Sequence, residues 1–392
     1  MTRMWLLLPV ALLVMLALTA SVAPASTTGT LEITTNTTLT EDHYGEIVIG
    51  ADNITLDCAG HSVTKIDGYD LGVKIKSYTG VTVKNCTVSG FDGGGFVVYT
   101  SGNKLVNNTA TANPGPGFQI QSASGNTLVG NKADNNNHGG FKLNNAFLNV
   151  LRGNSASGNV PNGFGLLDGS SNNLLTGNSA TANDQSGFYI SGGSDNTLRA
   201  NSAKQNGRGN EPEPYDFSRA GFLLAGASWN TLTGNVANDN YAGFILIEGS
   251  SQNRLSDNNA VNNGIGLVGG YGSGWGFLIS FDCNENTLDH NVATNNDDFG
   301  FVANSNGNVF SQNTANNNAS GFGVDGGSYN MLTGNVANHN HDWGFAFLGP
   351  STNNTVQNSL AHNNGAYDGY DANRPANTWT NNNFGTTNPP GL

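Results

Sequence analysis

A repeat with a period of 22 to 24 residues constrains the fold of this 392-residue chain more than any other feature. The phrase Thr-Leu-x-Gly-Asn, or a close variant of it, marks each unit, and two units are longer, with steps of 34 and 33 residues. Periods of this length are typical of solenoid proteins, in which successive units stack on one another. The units begin at Lys104, Thr127, Val150, Leu174, Thr197, Thr231, Arg254, Thr287, Val309, Met331 and Thr355.

Each unit contains three short extended segments, two that end in Asn and a third that begins with Gly-Phe. In the unit that begins at Lys104, the two Asn residues are Asn108 and Asn113. Because side chains alternate between the two faces of a strand, Phe118 is expected to face inward and Gln119 outward. Three stacked strands per coil predict an all-β fold, a single parallel β-helix of roughly twelve to thirteen coils.

The composition agrees with such a solenoid. The chain contains 54 Gly, is rich in Asn, and has only 11% charged residues. Helical domains favour Ala, Leu, Glu and Lys, and disordered chains favour charge over aromatic residues, so both classes are disfavoured. Asn residues stacked about 4.8 Å apart can hydrogen-bond to one another, and Asn tolerates the left-handed backbone of a corner. We therefore interpret the Asn columns as structural rather than catalytic.

The N-terminal residues 1–25 are typical of a signal peptide. Arg3 precedes an apolar run at 5–18, and Ala-Pro-Ala at 23–25 fits a cleavage motif. We therefore expect a protein located outside the cytoplasm, either extracellular or periplasmic. The remaining chain is divided into an N-terminal cap with the first coils, the regular repeats and a C-terminal cap, at 26–103, 104–364 and 365–392.

Charge restricts the partners. The formal net charge is −13, and loss of Arg3 with the signal peptide makes it −14. Such a surface repels nucleic acid and anionic membranes, so neither is expected as a partner of the mature protein.

Several phrases carry a resemblance to a known family: "NITLDCAGHSV", "GVTVKNCTVSGF" and the recurring "NTLTGNVANxN" followed by Gly-Phe. They resemble the secreted right-handed parallel β-helix repeat family, over almost the whole chain from about Thr40 onward. That family, part of the pectate-lyase-like superfamily, includes polysaccharide lyases and epimerases as well as the NosD-type proteins of copper-enzyme maturation. The resemblance implies a right-handed solenoid. It leaves the activity open, because the matching residues are those that build coils.

The cysteines allow two arrangements. Cys58 and Cys86 occupy one column in neighbouring coils, close enough for a disulfide, and an extracytoplasmic location permits oxidation. A disulfide and two stacked thiols remain alternatives. Cys283 has no partner in this pattern.

Interruptions of the repeat indicate where function lies, because insertions in a solenoid collect on one face. Both long units are interrupted at the same corner, by insertions at 207–220 and 264–275, and the coil between them has only Tyr241-Ala242 there. We predict that the notch between these loops binds a carbohydrate polymer, through carboxylates that accept hydrogen bonds and aromatic rings that pack on sugars. The predicted substrate-binding residues are Glu211, Tyr215, Arg219, Tyr241, Tyr271, Trp275 and Trp343. The candidate catalytic residues are Asp216, Asp297 and Asp298, because paired carboxylates can act as general acid and base.

Two other interpretations of this corner stay open. Apolar residues occupy the outward positions of the third segment beside the loops, and the loops can simply cover this stripe. Alternatively, the stripe forms a homo-oligomer contact, as exposed apolar surface often does. The residues of the stripe are Leu223, Ile245, Ile247, Leu278 and Val302.

Elimination chemistry requires a base and a cation beside a uronate carboxylate, for which His138, Lys142 and Arg219 are candidates. The Asp-Pro-His phrase of mannuronan epimerases is absent, and no Asp cluster has a distinctive calcium spacing.

Copper is not expected as a cofactor, and calcium is left open. His339, His341 and His362 lie on neighbouring coils, but only one Met, Met331, remains after the signal peptide, so a soft Cu(I) site is poorly supplied. We predict no protein metal site. The main hypothesis is that the protein is secreted and binds a carbohydrate polymer. In an enzymatic variant of this hypothesis, it also cleaves or epimerises that polymer. The alternative is a non-catalytic scaffold, either a NosD-like accessory protein or a cell-surface structural module.

Overall fold

The computed structural model describes residues 26–207, 217–264 and 274–392. These residues form a right-handed parallel β-helix of about 14 turns, and their secondary structure is all β. None of the described residues belongs to a helix that would be long and apolar enough to span a bilayer.

Each coil contributes three strands, here called the first, second and third strand in chain order. The first strands form a 15-stranded parallel sheet. They are Thr37–Thr38, Thr55–Asp57, Thr82–Lys84, Lys104–Val106, Thr127–Val129, Val150–Arg152, Leu174–Thr176, Thr197–Arg199, Thr231–Thr233, Arg254–Ser256, Thr287–Asp289, Val309–Ser311, Met331–Thr333, Thr355–Gln357 and Thr378–Thr380.

The second and third strands form two further columns. The second strands are Ser62–Thr64, Thr87–Ser89, Thr109–Thr111, Lys132–Asp134, Ser155–Ser157, Ser179–Thr181, Ser202–Lys204, Val236–Asn238, Asn259–Val261, Val292–Thr294, Thr314–Asn316, Val336–Asn338, Leu360–His362 and Asn383–Phe384. The third strands are Leu71–Ile75, Gly94–Val98, Phe118–Gln121, Phe141–Asn144, Phe164–Leu167, Phe188–Ser191, Phe222–Ala225, Phe244–Ile247, Phe277–Ile279, Phe299–Ala303, Ser320–Asp325, Trp343–Leu348, Tyr367–Asp371 and Thr387–Asn388.

The two columns join at the N-terminal end. Thr27–Ile33 pairs along its whole length with His43–Ile49. His43–Ile49 then pairs with Ser62–Thr64 through its first residues and with Leu71–Ile75 further along, so the second and third columns belong to one 30-stranded sheet.

The coil number exceeds the prediction of twelve to thirteen because the segments interpreted as caps also supply strands. At the C-terminal end, Tyr367–Asp371, Thr378–Thr380 and Asn383–Phe384 continue the three columns. Their aromatic side chains Trp379 and Phe384 pack against the core. Residues 365–392 therefore close the solenoid by extending it.

A column of Phe rings forms the centre of the core. One Phe of each third strand from Phe96 to Phe345 pairs in register with its equivalent in the next coil, and the rings of neighbouring coils stack, for example Phe164 on Phe188 with centroids 4.8 Å apart and planes 5° apart. All these rings are buried. Buried aromatic area of this size is a main source of stability, because each ring removes a large apolar surface from water.

Asn ladders satisfy the buried backbone at the corners. The Asn154 Oδ1 accepts hydrogen bonds from the backbone N–H of Asn131 at 2.9 Å and from the Asn131 side-chain amide at 3.0 Å. The Asn154 side-chain amide donates to the carbonyl of Leu128 at 3.0 Å. The same pattern repeats from coil to coil, which explains why buried Asn is tolerated throughout the rod.

The structure contains one Asn ladder more than the two identified in the sequence. It precedes the first strands and includes Asn126, Asn149 and Asn173, joined side chain to side chain at 3.1 Å. The signal was present as the Asn before each Thr-Leu pair.

The Gly of the Gly-Phe motif is required by close packing. A Cβ atom on Gly187 would lie 2.8 Å from the carbonyl oxygen of Gly221 and 2.9 Å from the side-chain nitrogen of Asn206. Only Gly therefore lets the chain pass the Asn ladder and place Phe188 in the core.

Of the two arrangements left open for Cys58 and Cys86, the structure has the disulfide, with Cα atoms 4.8 Å apart. It joins two neighbouring coils near the N-terminal end. Cys283 is a buried free cysteine, and burial raises the pKa of its thiol to about 11.

Candidate functional site

The outer face of the third strands changes character along the rod. The outward position that follows the core Phe is polar or small at Gln119, Lys142 and Gly165. It becomes apolar further along, where Leu223 pairs with Ile245, and returns to small residues beyond Val302. Because the inner face repeats and the outer face does not, the outer face is the part of the rod that can be specific for a ligand.

The apolar part of this face is covered by the ends of the two long loops. The ring of Phe217, at the end of the first insertion, lies 5.8 Å from that of Trp275, at the end of the second. Together with Tyr241 they belong to a buried cluster that includes Leu223 and Ile245. The C-terminal ends of the two insertions therefore meet above the short corner.

This arrangement corrects two expectations. Tyr241 was predicted to bind substrate, but its side chain is only 2% exposed, so it is part of the floor and cannot stack on a ligand. The apolar stripe was considered as an oligomer contact, but Leu223, Ile245, Leu278 and Val302 are buried by the chain itself, and only Ile247 is partly exposed. The loop-cover interpretation describes the observed packing.

A groove with three cavities runs along the same face. The N-terminal cavity, with His138 and Lys142, shares Asn162 with a central cavity. The central cavity shares Phe217 with a third cavity on the C-terminal side. The groove spans nine third strands, from Phe141–Asn144 to Trp343–Leu348, which corresponds to a length of about 38 Å.

The third cavity, called the Asp298 cavity below, combines aromatic rings with polar groups. Its volume is about 240 Å³. Phe281 is 66% exposed, so its ring is free to contact a ligand, whereas Trp275 contributes only an edge at 7% exposure. The lining residues used here are Phe217, Trp275, Phe281, Asp298, Asn304 and Asp325.

Asp298 has the most perturbed carboxyl group of the groove. Burial raises its pKa to about 6, a hydrogen bond from the backbone N–H of Phe299 at 2.8 Å opposes this, and the neighbouring Asp297 carboxylate adds to the rise. A carboxyl group with a pKa near neutrality can both donate and accept a proton, which suits acid–base chemistry.

The second carboxylate of the cavity is not close to the first. Phe299 pairs with Ser320 in the neighbouring strand, so Asp298 and Asp325 lie six residues apart along the strand direction. Six extended residues span roughly 20 Å. Glycoside hydrolases commonly hold their two carboxylates about 5 to 10 Å apart, so this pair does not form such a site.

Of the other predicted residues, Asp297 is exposed and lines a separate cavity with His341. Arg219 lies beside the first loop, where its guanidinium donates to the Gly207 carbonyl at 3.4 Å. Trp343 lies further toward the C-terminal end, where its ring stacks on Tyr370 at 5.8 Å. The predicted residues Glu211, Tyr215, Asp216 and Tyr271 lie outside the described residues.

The N-terminal cavity carries the two basic candidates for elimination chemistry. The Nδ1 atom of His138 lies 2.6 Å from the carbonyl oxygen of Pro114. Because a carbonyl can only accept, this contact assigns the ring proton to Nδ1 and leaves Nε2 as the acceptor of a neutral His138. Lys142 lines the same cavity.

The lining residues of the Asp298 cavity that the sequence analysis missed include Phe281, Asn304 and Asp325. Each lies at the end of a third strand, where the chain turns into the next coil. The only indication in the sequence is that the alternation of apolar and polar residues stops after Ile279. This indication does not show that residues from three different coils line one cavity.

Within the described residues, no group of three His, Cys, Asp or Glu side chains is arranged to hold a metal ion. Calcium, left open as a cofactor in the sequence, is not tested by the structure.

Comparison with known protein families gives two matches. The description "Right handed beta helix region" matches residues 25–180 and 161–260. The description "Periplasmic copper-binding protein (NosD)" matches residues 271–389. In the described part of that second segment, no group of three His, Cys, Asp or Glu side chains is arranged to hold a metal ion, and burial raises the pKa of its one Cys thiol, Cys283. No curated protein sequence matches the chain.

Several solved structures are similar in outline. They include the periplasmic alginate epimerase AlgG, with 10% identity and a TM-score of 0.39 over 92% of this chain and 78% of that one. The A-module of the Azotobacter vinelandii mannuronan C-5 epimerase AlgE4 has 13% identity and a TM-score of 0.41 over 87% of each chain. Pectate lyase Pel9A has 16% identity and a TM-score of 0.39 over 80% of this chain and 70% of that one. At these values the similarities carry no inference about the activity of this chain.

Proposed function

This chain belongs to the right-handed β-helix family, and on that premise we propose that it binds a carbohydrate polymer along the groove on the outer face of its third strands. The observation that carries the proposal is the Asp298 cavity, whose lining combines the exposed ring of Phe281 with the carboxyl groups of Asp298 and Asp325 and the amide of Asn304. An apolar wall with a few convergent polar groups is the usual composition of a ligand site.

The shape of the groove supports a polymer rather than a small ligand. Its three cavities share lining residues and follow the rod axis. A chain laid along the axis could contact all three cavities at once, which a single sugar could not do.

The proposed location is outside the cytoplasm. The disulfide between Cys58 and Cys86 supports this, because structural disulfides persist in oxidising compartments. Loss of the signal peptide predicted at 1–25, detected by N-terminal sequencing of the exported protein, would test it.

Binding can be tested with two matched variants. Phe281 and Tyr329 are 66% and 69% exposed, but only Phe281 lines the groove. We expect Phe281→Ala to weaken binding to a panel of polysaccharides and their oligomers at least tenfold in isothermal calorimetry, and Tyr329→Ala to leave it unchanged. Equal losses in both variants, or no binding by the native protein to any glycan of the panel, would refute the proposal.

Turnover is tested in the same samples. Release of new reducing ends that is lost in Asp298→Asn would assign acid–base catalysis to Asp298. Unsaturated-uronate absorbance that is lost in His138→Ala would assign elimination to the N-terminal cavity. Neither signal, with binding retained, would leave a binding role.

A further inference from the structure

We propose, on the basis of the function proposed above, that the Asp298 cavity accepts uncharged sugar units and excludes uronates. The inference concerns the chemical class of the ligand at this one part of the groove, and it follows from the charges and hydrogen-bonding capacity of the lining residues.

The cavity has only negative formal charge among its described lining residues. Asp298 and Asp325 are its charged members, and no Lys, Arg or His among the described residues lines it. Burial makes a like charge more costly here than at the surface, because the partly buried carboxyl of Asp298 is poorly screened by water. A uronate bound in this cavity would place its carboxylate near Asp298 or near Asp325, with no cation among the described lining residues to neutralise it.

The surroundings do not supply the missing cation. Asp297 precedes Asp298 in the chain, and the whole protein carries a formal net charge of −13. The sequence of the first loop at 208–216 contains one Arg against two Glu and one Asp, and the second loop at 265–273 contains no charged residue. Arg219, two residues after Phe217, donates to the Gly207 carbonyl and does not line the cavity. Acidic residues therefore outnumber basic ones in the segments that adjoin the cavity in the chain.

Hydrogen bonding leads to the same conclusion independently. The Oδ1 atom of Asn304 is buried and has no hydrogen-bond partner among the described residues. Together with the carboxylate oxygens of Asp298 and Asp325, it makes the cavity rich in acceptors. Neutral sugars and uronates both carry ring hydroxyl groups that can donate to these acceptors, but a uronate has a carboxylate, which can only accept, in place of one hydroxymethyl donor. A buried acceptor without a donor is costly, so the ligand that completes this cavity is a donor.

The opposite end of the groove has the opposite composition. His138 and Lys142 line the N-terminal cavity, and none of its lining residues is acidic. Rejection of uronates is therefore a property of the Asp298 cavity rather than of the whole groove, and the experiment must report where each ligand binds.

The test compares three hexasaccharides of similar length: a neutral β-glucan, an oligouronate and a glucosamine oligomer. Each is titrated by calorimetry at pH 7.5 without divalent cations into the native protein and into Phe281→Ala, Lys142→Ala and Asp298→Asn/Asp325→Asn. Phe281→Ala reports occupancy of the Asp298 cavity, and Lys142→Ala reports occupancy of the N-terminal cavity. Circular dichroism checks that each variant is folded.

We expect the neutral oligomer to bind the native protein and to lose at least tenfold affinity in Phe281→Ala. Uronate binding should be absent, or should depend on Lys142 alone. In Asp298→Asn/Asp325→Asn the neutral ligand should bind more weakly and the uronate more tightly at the Phe281-dependent site, so that the ratio of the two affinities falls at least tenfold.

Three results separate the two proposals. Uronate binding to the native protein that is lost in Phe281→Ala would overturn the inference but keep carbohydrate binding. Preference for the glucosamine oligomer would also overturn it, because the acidic lining would then select a cation. Absence of binding by all three oligomers and by the polysaccharide panel would overturn the proposed function itself.

Discussion

The interior of this β-helix and the outer face of its third strands are built from neighbouring residues of the same strands, yet they follow different rules. Inside, one Phe column and the Asn ladders repeat in almost every coil, because each residue must match its equivalent in the coils above and below. Outside, the equivalent positions run from Lys142 through Leu223 to Gly323, and their surroundings differ from coil to coil: Lys142 lines a cavity, whereas Leu223 lies under the loop ends. The repeated residues thus stabilise the fold, and the outer residues that depart from the repeat determine which ligand can bind.

The adjacent residues Phe188 and Tyr189 test this division most strongly. Phe188→Ala removes a buried ring from the middle of the stack, and we expect it to lower the free energy of unfolding by about 4 kcal/mol. Tyr189→Ala, on the outer face and lining the central cavity, should cost much less stability but weaken glycan binding. Guanidinium denaturation measures the first effect and calorimetry the second. Similar stability losses in both variants would contradict the division.

An Asn ladder should be nearly as sensitive as the Phe column. Asn154→Ala removes the acceptor of the Asn131 backbone N–H and the donor to the Leu128 carbonyl, both buried. Leaving these groups unpaired is expected to cost about 3 kcal/mol in the free energy of unfolding. Asn137→Ala is the control, because Asn137 is exposed and outside the ladders. A ladder variant as stable as this control would refute the structural role of the buried Asn.

The outer face should show its own signature in the pH dependence of stability. The pKa of Asp298 is raised to about 6 in the folded protein from an ordinary value of 3.8. The folded state therefore binds a proton more tightly than the unfolded state, and the contribution of Asp298 to stability falls as the pH rises from about 4 to about 6.

Asp298→Asn removes this dependence. We expect the difference in unfolding free energy between native protein and variant to change by about 2 kcal/mol between pH 4 and pH 7, in the direction that favours the native protein at low pH. Denaturation at a series of pH values measures it. Asp257→Asn, which removes an exposed carboxylate elsewhere, should show no such trend, and a flat difference for Asp298→Asn would contradict the assigned pKa.

A substitution at a corner is expected to change the free energy of unfolding least. Trp229 has a left-handed backbone with φ of 61° and is 58% exposed, at a corner where another coil has Asn172 with φ of 58°. Left-handed backbone costs a bulky residue about 1 kcal/mol more than it costs Asn or Gly. Trp229→Asn is therefore expected to raise the free energy of unfolding by about 0.5 kcal/mol, and Asn172→Trp to lower it by a similar amount, as measured by denaturation. Destabilisation by Trp229→Asn would show that the Trp side chain contributes packing that outweighs its backbone.

The fold could be predicted from the sequence because its determinants are local and periodic. The Gly-Phe motif, the Asn that ends each segment and the step between units are all visible along the chain, and each has one explanation in stacked coils. The coil number was underestimated because the terminal segments, which contain Trp379 and Phe384, lack the repeat phrase although they continue the same sheets.

The candidate site was predicted only in part. The insertions indicated the third-strand face, where the structure has a groove, and Asp298 and Trp275 line one of its cavities. Tyr241 was misplaced because burial at a short corner depends on whether the neighbouring loops close above it. Phe281, Asn304 and Asp325 were missed because they come from successive coils and share no motif.

The sequence by itself determined the coil, its three strands and its core. Each of these follows from the apolar side chains that one unit must bury and from the hydrogen bonds that it can form with an equivalent neighbouring unit. Only the tertiary structure decided what the outer face presents. Phe217 and Trp275 belong to repeat units that are two steps apart in the sequence. Their contact therefore depends on the stacking of whole coils. The same stacking brings Phe281, Asn304 and Asp325, from three successive coils, to one cavity, because neighbours across a parallel sheet are a full coil apart in the chain.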